Sequence, residues 1–334
     1  MTRIRTPGFL ILGALLALGI GASAWAGAKP EKPKNYPLRP VALIVPYGNG
    51  GGSDQLSRTM ALAAQQALGV GVLVVNRPGN TGRAAIPGFM KAPADGYTVI
   101  EHTDDVAAFY ASGRIDVNPV KDWTPLAIAQ ITFSQIYIRA GEDRFTDWKS
   151  FLKYAKSKGG RVTVANVSGA TSMERINMIL LERELGFSTR QVSIDNPSER
   201  YGALVSGQVD ALFEQPGDVR AFLDTRRMKP ILTFLRKRPV VFGDVPSLKD
   251  VGARFTPLLR FRGFFARSDV PQDRLRYLEW AFAQAFNSAE FQAFNEKKFM
   301  NLIDSYRGTA GARQLVADQI AMFEKIYKQI GLTK

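Results

Sequence analysis

The sequence contains no cysteine and a single histidine among its 334 residues. Without cysteine there can be no thiol nucleophile, no disulfide and no thiolate metal site. One imidazole, His102, cannot build a multi-histidine metal centre, and any Ser-His-Asp arrangement would have to run through it. No repeat of fixed period and no low-complexity tract interrupts the chain. What is present is a globular composition, 46% hydrophobic and 22% charged, with 44 Lys and Arg against 30 Asp and Glu. The formal charge of +14 is compatible with nucleic acid, an anionic membrane or an anionic small ligand, so its distribution matters more than its sign. The length suggests about two domains.

Arg3 and Arg5 precede an uncharged apolar run over residues 9–24, and Ala24-Trp25-Ala26 has the small-x-small form of a signal-peptidase site. Residues 1–26 are therefore expected to be a signal peptide cleaved after Ala26. A membrane-spanning anchor needs about 20 apolar residues, more than this run supplies. The two arginines are not adjacent, which argues against a twin-arginine signal. Export without cysteine fits a bacterial periplasm. Residues 27–40, in which Lys and Pro recur, read as a solvated lead-in.

From Val41 the chain repeats a strand, a polar turn and a helix. Residues 41–46 are a continuous apolar run of strand length, as expected for a strand buried on both faces. Ser53-Asp54 would cap a helix over residues 55–68, ended by Gly69. Strands are expected at 70–75 and 97–100. The second half repeats the theme, with a strand at 161–165, a Gly-containing turn, a helix at 173–185 ended by Gly186, and strands at 191–194, 209–213 and 230–234. Beyond Phe264 the pattern turns to helices, at 272–286, 289–298 and 310–330. Such alternation implies an α/β fold with right-handed crossovers.

The strongest local feature is Pro46-Tyr47-Gly48-Asn49-Gly50-Gly51-Gly52-Ser53-Asp54, a flexible loop that leaves a buried strand and opens a helix. Backbone N–H groups at a helix start lack intrahelical partners and carry the positive end of the dipole, which suits a carboxylate or phosphate. A Walker loop would need Gly-Lys-Ser/Thr, and Gly52-Ser53-Asp54 has no lysine. A dinucleotide fingerprint would need a third glycine where Ser53 stands and an acidic residue after the second strand, which ends at Asn76. A carboxylate-binding loop and a purely structural turn remain. Asn166-Val167-Ser168-Gly169-Ala170-Thr171-Ser172 has the same placement in the second half. Alone it reads as an ordinary N-cap; paired with the first loop across a cleft, it would supply a second clamp for a small anion.

These residues carry a resemblance. Val45-Pro46-Tyr47 with Gly50-Gly51-Gly52-Ser53-Asp54, Val75-Asn76-Arg77-Pro78-Gly79, Ala94-Asp95-Gly96-Tyr97-Thr98, Val120-Lys121-Asp122-Trp123-Thr124-Pro125, Ser206-Gly207-Gln208-Val209-Asp210, Asp244-Val245-Pro246-Ser247-Leu248 and Gly263-Phe264-Phe265-Ala266 resemble, in order and spacing, the solute receptors of tripartite tricarboxylate transporters, the Bug or TctC family. The resemblance implies a two-lobed α/β fold of the type II periplasmic binding proteins, a Venus flytrap with a hinge and an interlobe ligand cleft. Lobe 1 would comprise 41–132 and 257–334, and lobe 2 would comprise 133–256. It implies capture of a small carboxylate, whether dicarboxylate, aromatic carboxylate or amino acid, and delivery to a membrane permease. No enzymatic activity, cofactor, metal or nucleic acid is expected, and the protein is expected to be a monomer.

Carried over by position, the ligand residues would be Tyr47, Gly48, Asn49, Gly50, Gly51, Gly52, Ser53 and Asp54 in lobe 1. In lobe 2 they would be Asn166, Ser168, Gly169, Ala170, Thr171, Ser172 and Met173, with Glu214 where the family usually has Asp. Met173 replaces a frequent His, and Phe261-Arg262-Gly263 replaces a usual Trp-Tyr-Gly. Arg262 could pair with a second carboxylate, although a surface or hinge role is the commoner one for such an arginine. Thr103 follows a predicted strand end beside His102, Asp104 and Asp105 and is a candidate for the cleft rim, whereas a structural role is preferred for His102. Two alternatives are a receptor that reports to a membrane sensor kinase and a secreted hydrolase using Ser53 and His102. The short clusters Arg226-Arg227, Arg236-Lys237-Arg238 and Lys297-Lys298 read as solvated faces.

Overall fold

The computed structural model describes residues 28–167 and 169–332. The expected signal peptide and Ser168 lie outside the described residues. Among the described residues no helix is long and apolar enough to cross a membrane.

The chain builds two five-stranded sheets. In the first half, β1 (Val41–Val45), α1 (Gly52–Leu68), β2 (Val72–Asn76), α2 (Ile86–Lys91), β3 (Thr98–Thr103), α3 (Asp105–Ala111) and β4 (Trp123–Thr132) follow in order. The chain then passes into β5 (Gln135–Arg139), α4 (Trp148–Lys158), β6 (Thr163–Asn166), α5 (Met173–Leu185), β7 (Arg190–Ser193), α6 (Pro197–Val205), β8 (Ala211–Glu214), α7 (Arg220–Asp224) and β9 (Met228–Thr233). It returns through β10 (Arg260–Arg267) and closes with α8 (Gln272–Asn287), α9 (Ala289–Lys297) and α10 (Thr309–Ile330). The first sheet has the order β2-β1-β3-β10-β4 and the second β7-β6-β8-β5-β9. The expected α/β class is therefore present.

Helix ends follow their local chemistry. Gly69 and Gly186, at φ 72° and 64°, close α1 and α5 in the left-handed region that glycine enters without steric cost. Asp147 and Ser150 form a reciprocal capping box at the start of α4. The expected cap of α1 is not formed: the helix begins at Gly52, with Gly51 as N-cap and no side-chain cap bond. Ser53 and Asp54 lie inside its first turn.

Neither sheet is purely parallel. β10 runs antiparallel between β3 and β4, and β5 runs antiparallel to both β8 and β9. β3 continues past the expected end at Ile100 to Thr103, because Glu101, His102 and Thr103 pair with β10. β4, β5 and β10 had no counterpart in the sequence pattern.

Each sheet is covered on both faces. The first packs α1, α8 and α9 on one side, with Leu56, Phe282 and Phe291 in that core, and α2, α3 and α10 on the other, around Trp123, Phe89 and Phe265. Fully burying one such aromatic or aliphatic side chain contributes about 1.5–3 kcal/mol. The second sheet packs α4 and α5 on one side and α6 on the other. α10 serves both halves. Ala312 and Val316 pack with the first sheet, while Phe323, Ile326 and Tyr327, further along the same helix, join the core of the second.

Candidate functional site

Where the two halves meet, β1, β3 and β10 of the first sheet face α6 and the end of β8 of the second. The inner part of the cleft between them has a free volume of about 40 Å³, room for only a few water molecules, and a space of about 270 Å³ that shares Tyr47, Gly48, Val167 and Asp195 adjoins it. Larger grooves of about 900 and 730 Å³ lie elsewhere, on the outer side of α4 and against α8. Neither contains the buried, convergent polar groups that mark a binding site, so the small cleft is the candidate.

One wall comes from the loop between β1 and α1. Tyr47, Gly48, Gly51, Gly52 and Ser53 line the cleft. Gly48 and Gly51 let the loop approach Pro197 closely, since a Cβ on either would lie 3.1 or 3.0 Å from it across the cleft. Tyr47 is held by its hydroxyl, 2.7 Å from the Thr103 hydroxyl and 3.0 Å from Asp105 Oδ2. Asn49 and Gly50 are exposed, outside the cleft lining. Asp54 braces the loop instead of lining the cavity: its carboxylate accepts from Gly50 N–H, Arg58 Nε and Asn76 Nδ2 at 2.9–3.0 Å. Burial works against its charge, but these bonds outweigh that effect and hold its carboxyl below the usual range.

Strand alternation then sorts the β3 residues. Thr103 lines the cleft, and Glu101 lies beside Ser53 on the same face. Burial pushes the Glu101 carboxyl up to about 8, against the opposing influence of the Ser53 hydroxyl, Arg262 and Arg260. His102 points the other way, among Tyr47, Phe109 and Trp123. Its Nδ1 accepts from Thr103 N–H at 3.0 Å, and burial pushes it down to about 3, so the ring is neutral. Ser53 and His102 thus belong to opposite faces, which is no arrangement for a hydrolytic pair.

The second wall differs from the expected one. Of the loop after β6, Val167 reaches the cleft. The Asn166 side chain donates to Gln191 Oε1 at 2.6 Å, and Ser172 caps α5 by accepting from Arg175 N–H at 3.3 Å. The Thr171 carbonyl accepts from the Tyr327 hydroxyl at 2.5 Å, and Met173 is buried in the apolar core. Gly169 and Ala170 line a separate outer groove. The wall is built instead by Asp195, Pro197 and Arg200 around the start of α6, and by Glu214, Gln215 and Asp218 after β8. Glu214, among the expected residues, is buried and bonded to Arg200 Nη2 at 2.9 Å.

Two arginines of β10 join the halves. Arg260 lies 3.0 and 3.1 Å from Asp104 and Asp105 and also pairs with Glu174 in the first turn of α5. Burial and this crowding raise the carboxyls of Asp104 and Asp105. Arg262, a residue whose type usually sits at a surface, is 3% exposed. It bonds Asp218 at 2.5 Å, Gln215 at 3.2 Å and Gln130 at 3.1 Å. Pro197, Arg200, Gln215, Asp218 and Arg260 were not anticipated. The one local signal was Arg-x-Arg at 260–262 just before the apolar Gly263-Phe264-Phe265-Ala266.

The arrangement suits an anion. The start of α1 has no side-chain cap, and an arginine stands beside it; each favours a carboxylate, the helix start by about 0.3–1 kcal/mol. Among the described residues no cluster of three or more His, Asp or Glu could hold a metal ion.

Comparison with known proteins identifies a receptor family and related folds. A family model described as the tripartite tricarboxylate transporter family receptor matches residues 56–332. A UPF0065 protein of Cupriavidus necator is 25% identical over 325 residues, 97% of this chain and 96% of that one. The BugT protein of Bordetella pertussis is 22% identical over 241 residues, 71% and 73% of the two chains. Among solved structures, MatC of Rhodopseudomonas palustris with bound malate superimposes with a TM-score of 0.78 at 24% identity, covering 87% of this chain and 99% of that one. An R. palustris protein with adipate gives 0.78 at 20% identity, covering 89% and 99%. The periplasmic binding protein BugD gives 0.78 at 20%, covering 90% and 100%.

Proposed function

The chain belongs to the receptor family of the tripartite tricarboxylate transporters, and from that premise we propose that it is a periplasmic protein that captures a small carboxylate between its lobes and presents it to a membrane permease. The observation that carries this reading is the meeting, in one cleft, of the uncapped start of α1 with the buried Arg262. The malate and adipate held by the two R. palustris proteins belong to the same chemical class.

In this reading residues 41–132 and 257–334 form one lobe and 133–256 the other, and the ligand closes them about the strands that cross between. Tyr47, Gly48, Gly51, Gly52, Ser53 and Thr103 contact the ligand from the first lobe. From the second, contact comes from the segment before α6 and the turn after β8. Asn49, Gly50 and Asp54 shape the first loop, and Asn166, Gly169, Ala170, Thr171, Ser172 and Met173 shape the second without reaching the ligand. The chemistry required is binding alone: backbone amides, hydroxyls and a guanidinium, with no covalent step.

Thermal unfolding against a panel of malate, adipate, benzoate, aspartate and neutral sugars tests the reading. A ligand at 100 times its Kd adds about 2.7 kcal/mol, a rise of several degrees for a protein of this size. A rise with one or more carboxylates and none with sugars is expected; a rise with sugars alone would overturn it.

A further inference from the structure

In the described structure the lobes touch, and beside Gly52 and Arg262 the cleft has little free volume, about 40 Å³, because the protein's own side chains fill it. One of them is a carboxylate. Asp218 reaches from the turn after β8 into the first lobe and bonds Arg262 Nη2 at 2.5 Å, with its side chain 6% exposed. Both carboxylate oxygens lie against Gly52, where any Cβ would collide with them and with the guanidinium. Gly52 is the first residue of α1, so this carboxylate lies at the helix start, where a ligand carboxylate is expected. Its turn is seated just as closely: Gly217 packs on the Lys298 carbonyl of the first lobe, leaving no room for a side chain.

The three cleft arginines differ in how firmly they are held. Arg200 is bound by Glu214 and by the carbonyls of Ile194 and Asp195, all from its own lobe. Arg260 answers three carboxylates. Arg262 has a single anionic partner, supplied by the opposite lobe, and its buried Nε has no hydrogen-bond partner among the described residues. Lobe opening would take Glu174 from Arg260 but leave it Asp104 and Asp105, whereas it would take from Arg262 its one anion; Arg262 also keeps a donor in reserve. Resting on the receptor reading above, we infer that Asp218 is a built-in stand-in for the ligand. In the empty protein it occupies the carboxylate position between Gly52 and Arg262 and holds the lobes together, and a ligand carboxylate must displace it to bind. Asp218 is then a specificity device that sets a threshold: a carboxylate that cannot outcompete it is rejected, and a neutral solute has nothing to exchange for the ion pair.

Calorimetric titration of malate, adipate and L-aspartate into wild type and Asp218→Asn tests this. The variant keeps the side-chain shape and leaves the Arg262 charge without its anion. It should unfold at lower temperature when empty, bind the carboxylate at least tenfold more tightly than wild type, and recover its melting temperature when loaded. Small-angle scattering should show the empty variant more open than empty wild type. If wild type binds a carboxylate and Asp218→Asn binds it equally or more weakly, the stand-in is wrong and the receptor reading survives. Weakening confined to L-aspartate would likewise overturn it, by making Asp218 a partner for the ligand's ammonium group. Binding of all three probes by neither protein would overturn both readings. The double variant Asp218→Ala with Arg262→Ala, which removes the pair without leaving a lone buried charge, should bind carboxylates more weakly than wild type; binding as tight as in Asp218→Asn would also contradict the inference.

Discussion

The loops after β1 and after β6 look alike in sequence, each a polar, glycine-containing segment from a buried strand into a helix, yet they take different positions in the molecule. The first turns into the cleft, with Gly48, Gly51 and Gly52 pressed against Pro197, Asp218 and Arg262. The second is tied down away from the cleft: Ser172 is used as a cap, Thr171 is bonded to Tyr327 of α10, and Glu174, one residue into α5, is paired with Arg260 of β10. A strand-loop-helix unit makes an anion site available, but whether the site faces a ligand is decided by what else the loop has to satisfy. In the second half α6 and the β8 turn take over that role.

The largest expected effect comes from breaking what holds the second loop in place. Arg260→Met removes the cation shared by Asp104, Asp105 and Glu174 and leaves buried carboxylates without compensation. Breaking a buried pair in this way costs about 3–5 kcal/mol, so the midpoint of denaturant unfolding should fall accordingly. Amide exchange over residues 169–175 should rise more than over residues 48–53. Equal protection in variant and wild type would mean that the second loop is held by its cap and Tyr327 alone.

A smaller effect distinguishes the first side. Glu101, behind Ser53, has its carboxyl raised to about 8 in the folded protein, from an ordinary value near 4.5. Its stabilising contribution is complete below pH 4.5 and is lost as pH rises through 8, because the folded state holds a proton that the unfolded state has released. His102 has the opposite sign: lowered to about 3 from 6.5, it costs stability only as pH falls below 6.5. Between pH 6.5 and 8, then, stability should decline by up to about 1.4 kcal/mol per pH unit, and Glu101→Gln should flatten that decline. A slope unchanged in the variant would place the titration elsewhere, for example on Asp104 or Asp105.

Much of this was visible in the sequence where local chemistry decides. α5 has the expected bounds at both ends, set by Ser172 and Gly186, and the first loop announced itself through its glycine run. The failures have a common cause. Glu101-His102-Thr103 looked like the end of a strand, and Arg260 and Arg262 did not look like strand residues, because charged side chains ordinarily seek water. The two arginines lie inside a paired strand since partners from the other half, Glu174, Gln215 and Asp218, satisfy them, and Glu101 is buried with its carboxyl raised by that burial. Nothing within those segments records a partner 40 or more residues away. Met173, by contrast, was assigned to the ligand through its position after the second loop, but its unbranched apolar side chain belongs to the core that α5 buries.

The central claim is that carboxylate recognition resides in the first loop and not in its look-alike. Titrating the wild-type ligand into Gly52→Ala and Gly169→Ala tests it most directly. At Gly52 a methyl group would meet Arg262 and Asp218, whereas at Gly169 it would meet only the Arg114 guanidinium at 3.4 Å. The account predicts a loss of about 100-fold or more in affinity, roughly 2.7 kcal/mol, for Gly52→Ala and a change within about threefold, roughly 0.7 kcal/mol, for Gly169→Ala. The reverse order, or equal losses in both, would contradict it.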